Sequence, residues 1–125
     1  MINDQNKDNL TSLIIQCIIK IHSTLGPGFR EVIYSRALII ELKKNNFHVE
    51  SEKSVKIYYE EHHIGSHRID LIVNNNVIIE LKTVEALNPS HYAQLKSYMR
   101  ASGINVGILV NFSGDKADFR RVDRR

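Results

Sequence analysis

Asp70, Glu80 and Lys82 are the residues whose types and spacing carry the clearest chemistry in this chain. Asn74-Asn75-Asn76 lies between two apolar runs and predicts a tight turn. If those three residues form the loop, Val73 faces Val77 and Asp70 sits across from Glu80. Directly opposed residues share a sheet face, with Cβ atoms about 4.5–5.5 Å apart. Two carboxylates about 5 Å apart repel by roughly 3 kcal/mol at an effective dielectric near 20. A hard divalent cation such as Mg²⁺ relieves that repulsion, since it takes one or two carboxylates and completes its shell with water and phosphate. Lys82, two residues beyond Glu80, projects from the same face and can orient a water or offset charge developing on a phosphoryl group. The Leu81 side chain points away, leaving its backbone carbonyl free to reach the metal. The same spacing also fits an exposed hairpin face on which the three side chains are merely solvated, and spacing alone does not separate the two.

The elements that must position these residues are legible from periodicity. Leu10, Leu13, Ile14, Cys17, Ile18 and Ile21 form the stripe of an amphipathic helix. Leu25-Gly26-Pro27-Gly28 breaks it, and a second helix is expected from about Phe29 to Lys44, with Tyr34, Ala37, Leu38 and Leu42 inward. The period then changes to two. Ser54 to Tyr59 reads as a strand, His62-His63-Ile64-Gly65 as a turn, Ser66 to Val73 and Val77 to Lys82 as two further strands. Asn88 or Ser90 caps a third helix that ends near Gly103, and Ile104 to Val110 is apolar on both faces, as a covered central strand is. The result is a mixed α/β layer.

With 125 residues and 42% hydrophobic content, the chain fits a single domain over 1–125 with one core. The formal charge of +3 suits an anionic partner without demanding one. The late cations Lys116, Arg120, Arg121, Arg124 and Arg125 read as a solvated, frayed tail or as a phosphate-contacting strip. Cys17 stands alone, which excludes an internal disulfide and a Cys/His zinc site, and it is expected to pack as a small hydrophobe. His62, His63 and His67 cluster around the expected turn rather than on one face. The start shows no signal-peptide pattern and no apolar run reaches the ~18 residues of a membrane span, so the cytoplasm is the expected location. Neither a Gly-rich phosphate loop nor a Gly-x-Ser-x-Gly elbow occurs, which argues against a nucleoside triphosphatase or a serine hydrolase.

Asp70, nine intervening residues, then Glu80-Leu81-Lys82 resembles the PD-(D/E)XK nuclease motif. Around it, Gly28-Phe29-Arg30-Glu31-Val32-Ile33-Tyr34, the upstream His22 and Leu25-Gly26-Pro27, and the downstream His91, Gln94, Tyr98 and Gly107 to Phe112 resemble the GxxExxY proteins of that superfamily. The likeness runs from about Leu10 to Val122; Ile69 stands where the motif's name has proline. The resemblance implies a restriction-endonuclease-like α/β core, αβββαβ, with a mixed central sheet flanked by helices. It implies metal-dependent cleavage of a nucleic-acid phosphodiester, with Mg²⁺ or Mn²⁺ on Asp70, Glu80 and the Leu81 carbonyl, and Lys82 polarising water. Glu31 looks like the extra carboxylate some of these nucleases bring from their first core helix, and Gln94 to Tyr98 like the Gln-x-x-x-Tyr element of recombination-type exonucleases. Read as residues alone, Glu31 also serves a helix dipole, and Tyr98 a core edge. Tyr98, Arg120 and Arg121 are candidate substrate contacts. The expected partner is nucleic acid, DNA ahead of RNA, with no membrane and a homodimer left open. The competing function is a catalytically silent module on the same fold that binds nucleic acid or protein.

Overall fold

A computed structural model describes residues 4–124, so Arg125 of the basic tail and the first three residues lie outside it. The elements run α1 (Asp4–Leu25), α2 (Glu31–Lys44), β1 (Val49–Tyr59), β2 (His62–Val73), β3 (Val77–Lys82), α3 (Pro89–Ser102), β4 (Val106–Asn111) and β5 (Asp118–Asp123). Among the described residues, no helix is long and apolar enough to cross a membrane.

The five strands lie in the sheet in chain order, antiparallel except for β3 and β4, which run parallel. A parallel pair needs a crossover, and α3 supplies it. Helices cover both faces. α1 and α2 bury Ile14, Ile18, Tyr34 and Leu38 against Leu71, Val77, Ile79, Ile108 and Val110. α3 buries Leu95, Tyr98 and Met99 against Ile69, Ile72, Ile78 and Leu109 on the other face. β4 is buried along its whole length, which is why it is apolar on both faces up to Asn111 at its end. Gly107 lets α3 approach closely: a Cβ there would meet the Leu95 side chain at 2.9 Å.

Two expectations need correction. The tip of the β1–β2 hairpin is not His62 to Gly65, which is strand, but Glu60-Glu61, both at positive φ (46° and 69°). That is the geometry of a two-residue turn whose usual Asn-Gly or Asp-Gly signature is missing here, so the sequence carries no signal for it. The second correction is β5. Asp118 to Asp123 is neither frayed nor tail, because it pairs antiparallel with β4 and Phe119 packs on the α1/α2 core. Its charged composition hides a strand that is half exposed at the sheet edge.

The turn between β2 and β3 forms as its three asparagines suggest. Asn74 and Asn75 adopt positive φ, which asparagine tolerates better than most residues. The Asn76 N–H donates to Val73 at 2.9 Å, and Asn74 exchanges hydrogen bonds with the His48 backbone. The register is accordingly Val73↔Val77, Ile72↔Ile78 and Leu71↔Ile79.

Candidate active site

The backbone ladder of β2 and β3 stops at Leu71↔Ile79, one pair short of Asp70 and Glu80. Side chains take over from there. The Asp70 N–H donates to Glu80 Oε1 at 3.2 Å, and the Leu81 N–H donates to Asp70 Oδ2 at 2.9 Å. Each carboxylate thus accepts a strand N–H where the backbone ladder no longer supplies a carbonyl, joining the two strands through side chains. On the other edge of β2, Lys53 pairs with Ile69 and Ser51 with Leu71, while Glu52, between them, turns to φ +52°. Regular pairing is therefore interrupted on both sides of Asp70. Strict alternation also breaks at this point: Ile69 and Ile72 both face α3, whereas Leu71 and Val73 face α1 and α2.

Burial and charge act together on Glu80, which is 4% exposed. Desolvation first, then the negative charge of Asp70, push its carboxyl up to about 8, against the pull of the Asp70 N–H and Lys82. Glu80 is therefore harder to ionise than an ordinary glutamate. The same field reaches two further groups. Desolvation and then Asp70 raise Glu31, opposed by Lys82 and a hydrogen bond from the Thr83 backbone. Desolvation, Glu80 and Asp70 raise the Tyr98 phenol, opposed by the Gln94 side-chain amide. Lys82 Nζ donates to Gln94 Oε1 at 3.1 Å. Glu31, Asp70, Glu80, Lys82, Gln94 and Tyr98, drawn from four elements, thus share one neighbourhood.

Each contributor is held locally. Tyr34 is fully buried, stacked on Phe112 with ring centroids 4.4 Å apart. Its hydroxyl donates to the Gly26 carbonyl at 2.6 Å and accepts the Phe29 N–H at 3.2 Å, pinning the Gly26–Pro27–Gly28 bend that opens α2. Gly26 and Gly28 take φ +73° and +106°, which few other residues reach cheaply. Glu31 is therefore placed by Tyr34. On β4, Asn111 stands beside Lys82 and grips Val84 through both its N–H and its carbonyl, steering the chain as it leaves β3. Asn88 and His91 form a reciprocal capping box at the start of α3, which sets the helix bearing Gln94 and Tyr98.

Sequence reasoning missed part of the site. A cleft of about 330 Å³ on the α2 side is lined by Glu31, Asp70 and Leu81 but also by Arg36, Ser51 and Glu52. Glu52 had no periodic signal, since only its left-handed backbone brings it there. The candidate substrate contacts fare differently. Arg120 pairs with Leu109, which pairs with Glu80, so it lies in the same cross-sheet row two strands away, about 10 Å by strand spacing. Arg121 is not brought to the site: it lies on the opposite face, bound to Asp8 at 2.6 Å, to Thr11 and to Asp123. Among the described residues, no three His, Cys, Asp or Glu side chains gather into a metal-holding group, the histidines of the β1–β2 hairpin included.

The sequence profile described as the PD-(D/E)XK nuclease superfamily matches residues 8–122. Among solved structures, the fold is similar to the crystal structure of SSO0001, at TM-score 0.58 and 25% identity over 74% of this chain and 48% of that one. The chain thus spans about half the length of that relative. It is also similar to an alkaline exonuclease (LHK-Exo) from Laribacter hongkongensis, at TM-score 0.57 and 12% identity, covering 100% of this chain and 73% of that one. No curated protein matches the sequence. The likeness supports a restriction-endonuclease-like α/β fold.

Proposed function

Because the chain belongs to the PD-(D/E)XK nuclease superfamily, we propose that it is a metal-dependent nuclease, of the GxxExxY kind, that hydrolyses nucleic-acid phosphodiester bonds. The observation that carries the reading is the interlock of Asp70, Glu80 and Leu81. Two carboxyl groups set this close together, one of them buried, form a site short of positive charge. Their oxygens, joined by the Leu81 carbonyl, make an all-oxygen donor set suited to Mg²⁺ or Mn²⁺. An extended residue points its N–H and C=O to the same strand edge, and the Leu81 N–H is directed at Asp70, so its carbonyl faces the same gap. Bound there, the ion would neutralise phosphate charge and make a water more acidic.

The chain's own residues supply the rest. Lys82 stands beside the carboxylate pair, with its ammonium held by Gln94, where it can orient the attacking water and offset charge on the phosphoryl oxygens. Glu31 adds a carboxylate on the α2 side of Asp70. Tyr98 closes the α3 side, its phenol within the field of both carboxyl groups. DNA is the proposed substrate ahead of RNA.

The test is incubation of purified protein with labelled single- and double-stranded DNA and RNA, in Mg²⁺, Mn²⁺ or EDTA. Cleavage that needs the metal and disappears in Glu80→Ala is the expected result. No cleavage of any substrate, together with no binding of Mg²⁺ or Mn²⁺, would leave the chain a silent module on the nuclease fold.

A further inference from the structure

β3 pairs with only the last three residues of β2, so from Asp70 back to His62 the β1–β2 hairpin extends as a two-stranded arm. Such an arm has little core of its own. It nevertheless exposes Tyr58, Tyr59 and Ile64 at 58%, 64% and 63%, large apolar side chains that a solvent-facing hairpin has no need to carry. Between this arm and α3 lies a groove of about 460 Å³. The arm lines it with Lys56, Tyr58 and His67, and α3 with Ser97 and Arg100.

Two cations, a histidine and an aromatic ring line this groove, and no acid does. The cleft on the α2 side of Asp70 is the reverse, with Glu31, Glu52 and Asp70 in its wall. The groove also adjoins the site. The His67 ring lies 4.8 Å from that of Tyr98, and Tyr98 is hydrogen-bonded to Gln94, which holds Lys82. At the outer end, the hairpin turns at Glu60-Glu61, whose charges oppose an anion and limit its reach.

Lysine and arginine along a groove track a phosphate backbone, and exposed tyrosine rings stack on bases. Stacking needs bases that are not already paired. We propose that this groove binds a single-stranded stretch of nucleic acid and leads it to the carboxylate site. The assignment rests on the nuclease reading above and names the form of its substrate.

The test uses the full chain in EDTA, so that nothing is cut, with fluorescently labelled oligothymidylate and a duplex of equal length. Lys56→Glu/Arg100→Glu should weaken single-strand binding at least tenfold and flatten the slope of log affinity against log salt by about 1.4, at roughly 0.7 per lost phosphate contact. Tyr58→Ala should weaken it roughly tenfold through lost stacking. Lys43→Glu/Lys44→Glu, exposed at the far end of α2, makes the same change of net charge and should leave binding unaltered. Thermal melts verify folding, and Lys56→Gln/Arg100→Gln replaces the reversal variant if that one is unstable. Unchanged single-strand affinity in the groove variants overturns the proposal, as does a duplex bound as tightly as the single strand. Binding lost in the groove variants, with no cleavage by the unaltered protein in Mg²⁺ or Mn²⁺, would instead sink the nuclease reading and leave the groove standing.

Discussion

Asp70 gives its backbone N–H to the Glu80 carboxylate and receives the Leu81 N–H on its own, so the two acids lock β2 to β3 where the regular ladder has ended. The arrangement spends two strand hydrogen bonds on side chains. It keeps both carboxyl groups where regular pairing is interrupted.

Stability should therefore depend on pH through Glu80. The folded protein binds a proton at Glu80 up to about pH 8, whereas the unfolded chain releases it near 4.5. Between those values the folded state holds more protons, so stability falls as pH rises through the window and the loss is complete above about 8. Glu80→Gln keeps the shape and removes the titration. In EDTA its melting temperature should match the unaltered protein near pH 4 and exceed it by several degrees at pH 8.5, at roughly 3–6 °C per kcal/mol. Calorimetry across that range checks this, and a variant that melts lower at pH 8.5 contradicts it.

Asp70→Asn should behave similarly in sign. Its amide oxygen can still accept the Leu81 N–H while the charge facing Glu80 disappears. The melting temperature of the metal-free protein should hold or rise. A fall of many degrees would mean that a structural ion pair had been cut.

For catalysis, Glu80→Ala should abolish metal-dependent cutting, and undiminished activity would point to a contaminant. Lys82→Ala should lower kcat by roughly 10²–10⁴ while leaving Mn²⁺ affinity, read by calorimetric titration, nearly intact. A Lys82 variant that loses the metal as well would place the lysine among the groups that build the site rather than those that act on water.

Gln94 acts through Lys82, so its loss should be milder. Gln94→Ala frees the ammonium that Oε1 now accepts from, and kcat should fall roughly tenfold with little change in KM. Gln94→Glu, which retains an acceptor, should recover part of the rate. Equal losses in both variants would assign Gln94 to substrate binding.

Tyr34→Phe removes only a hydroxyl, yet that hydroxyl serves the Gly26 carbonyl and the Phe29 N–H. A cost of about 1–2 kcal/mol in stability is expected. Activity should drop further than the melting shift explains, because the bend it holds sets the start of α2 and the position of Glu31. Activity that is unchanged at a temperature where the variant is folded would remove that link.

The amino-acid order alone determined the hairpin that carries Asp70 and Glu80. Three asparagines between apolar runs mark the turn, and placing the loop on all three gives the register Val73↔Val77 that the structure shows. Because Val77 to Leu81 is buried on both faces, that register was an inference from the turn rather than from alternation. The helices were legible because a 3.6-residue stripe has one way to face a core. The Glu60-Glu61 turn was not, because its residues lack the usual turn chemistry and pairing along the arm imposes their backbone. β5 escaped notice because an edge strand need bury only one face, leaving Asp118, Arg120 and Arg121 to read as solvated charge. Tertiary structure alone decided which distant groups meet the pair. Tyr34 stacks on Phe112, 78 positions later, to aim Glu31, and the left-handed residue Glu52 interrupts the β1–β2 pairing beside Asp70. No local pattern records either, since both depend on how β1, α2 and β4 pack around the pair rather than on the residues next to them in the chain.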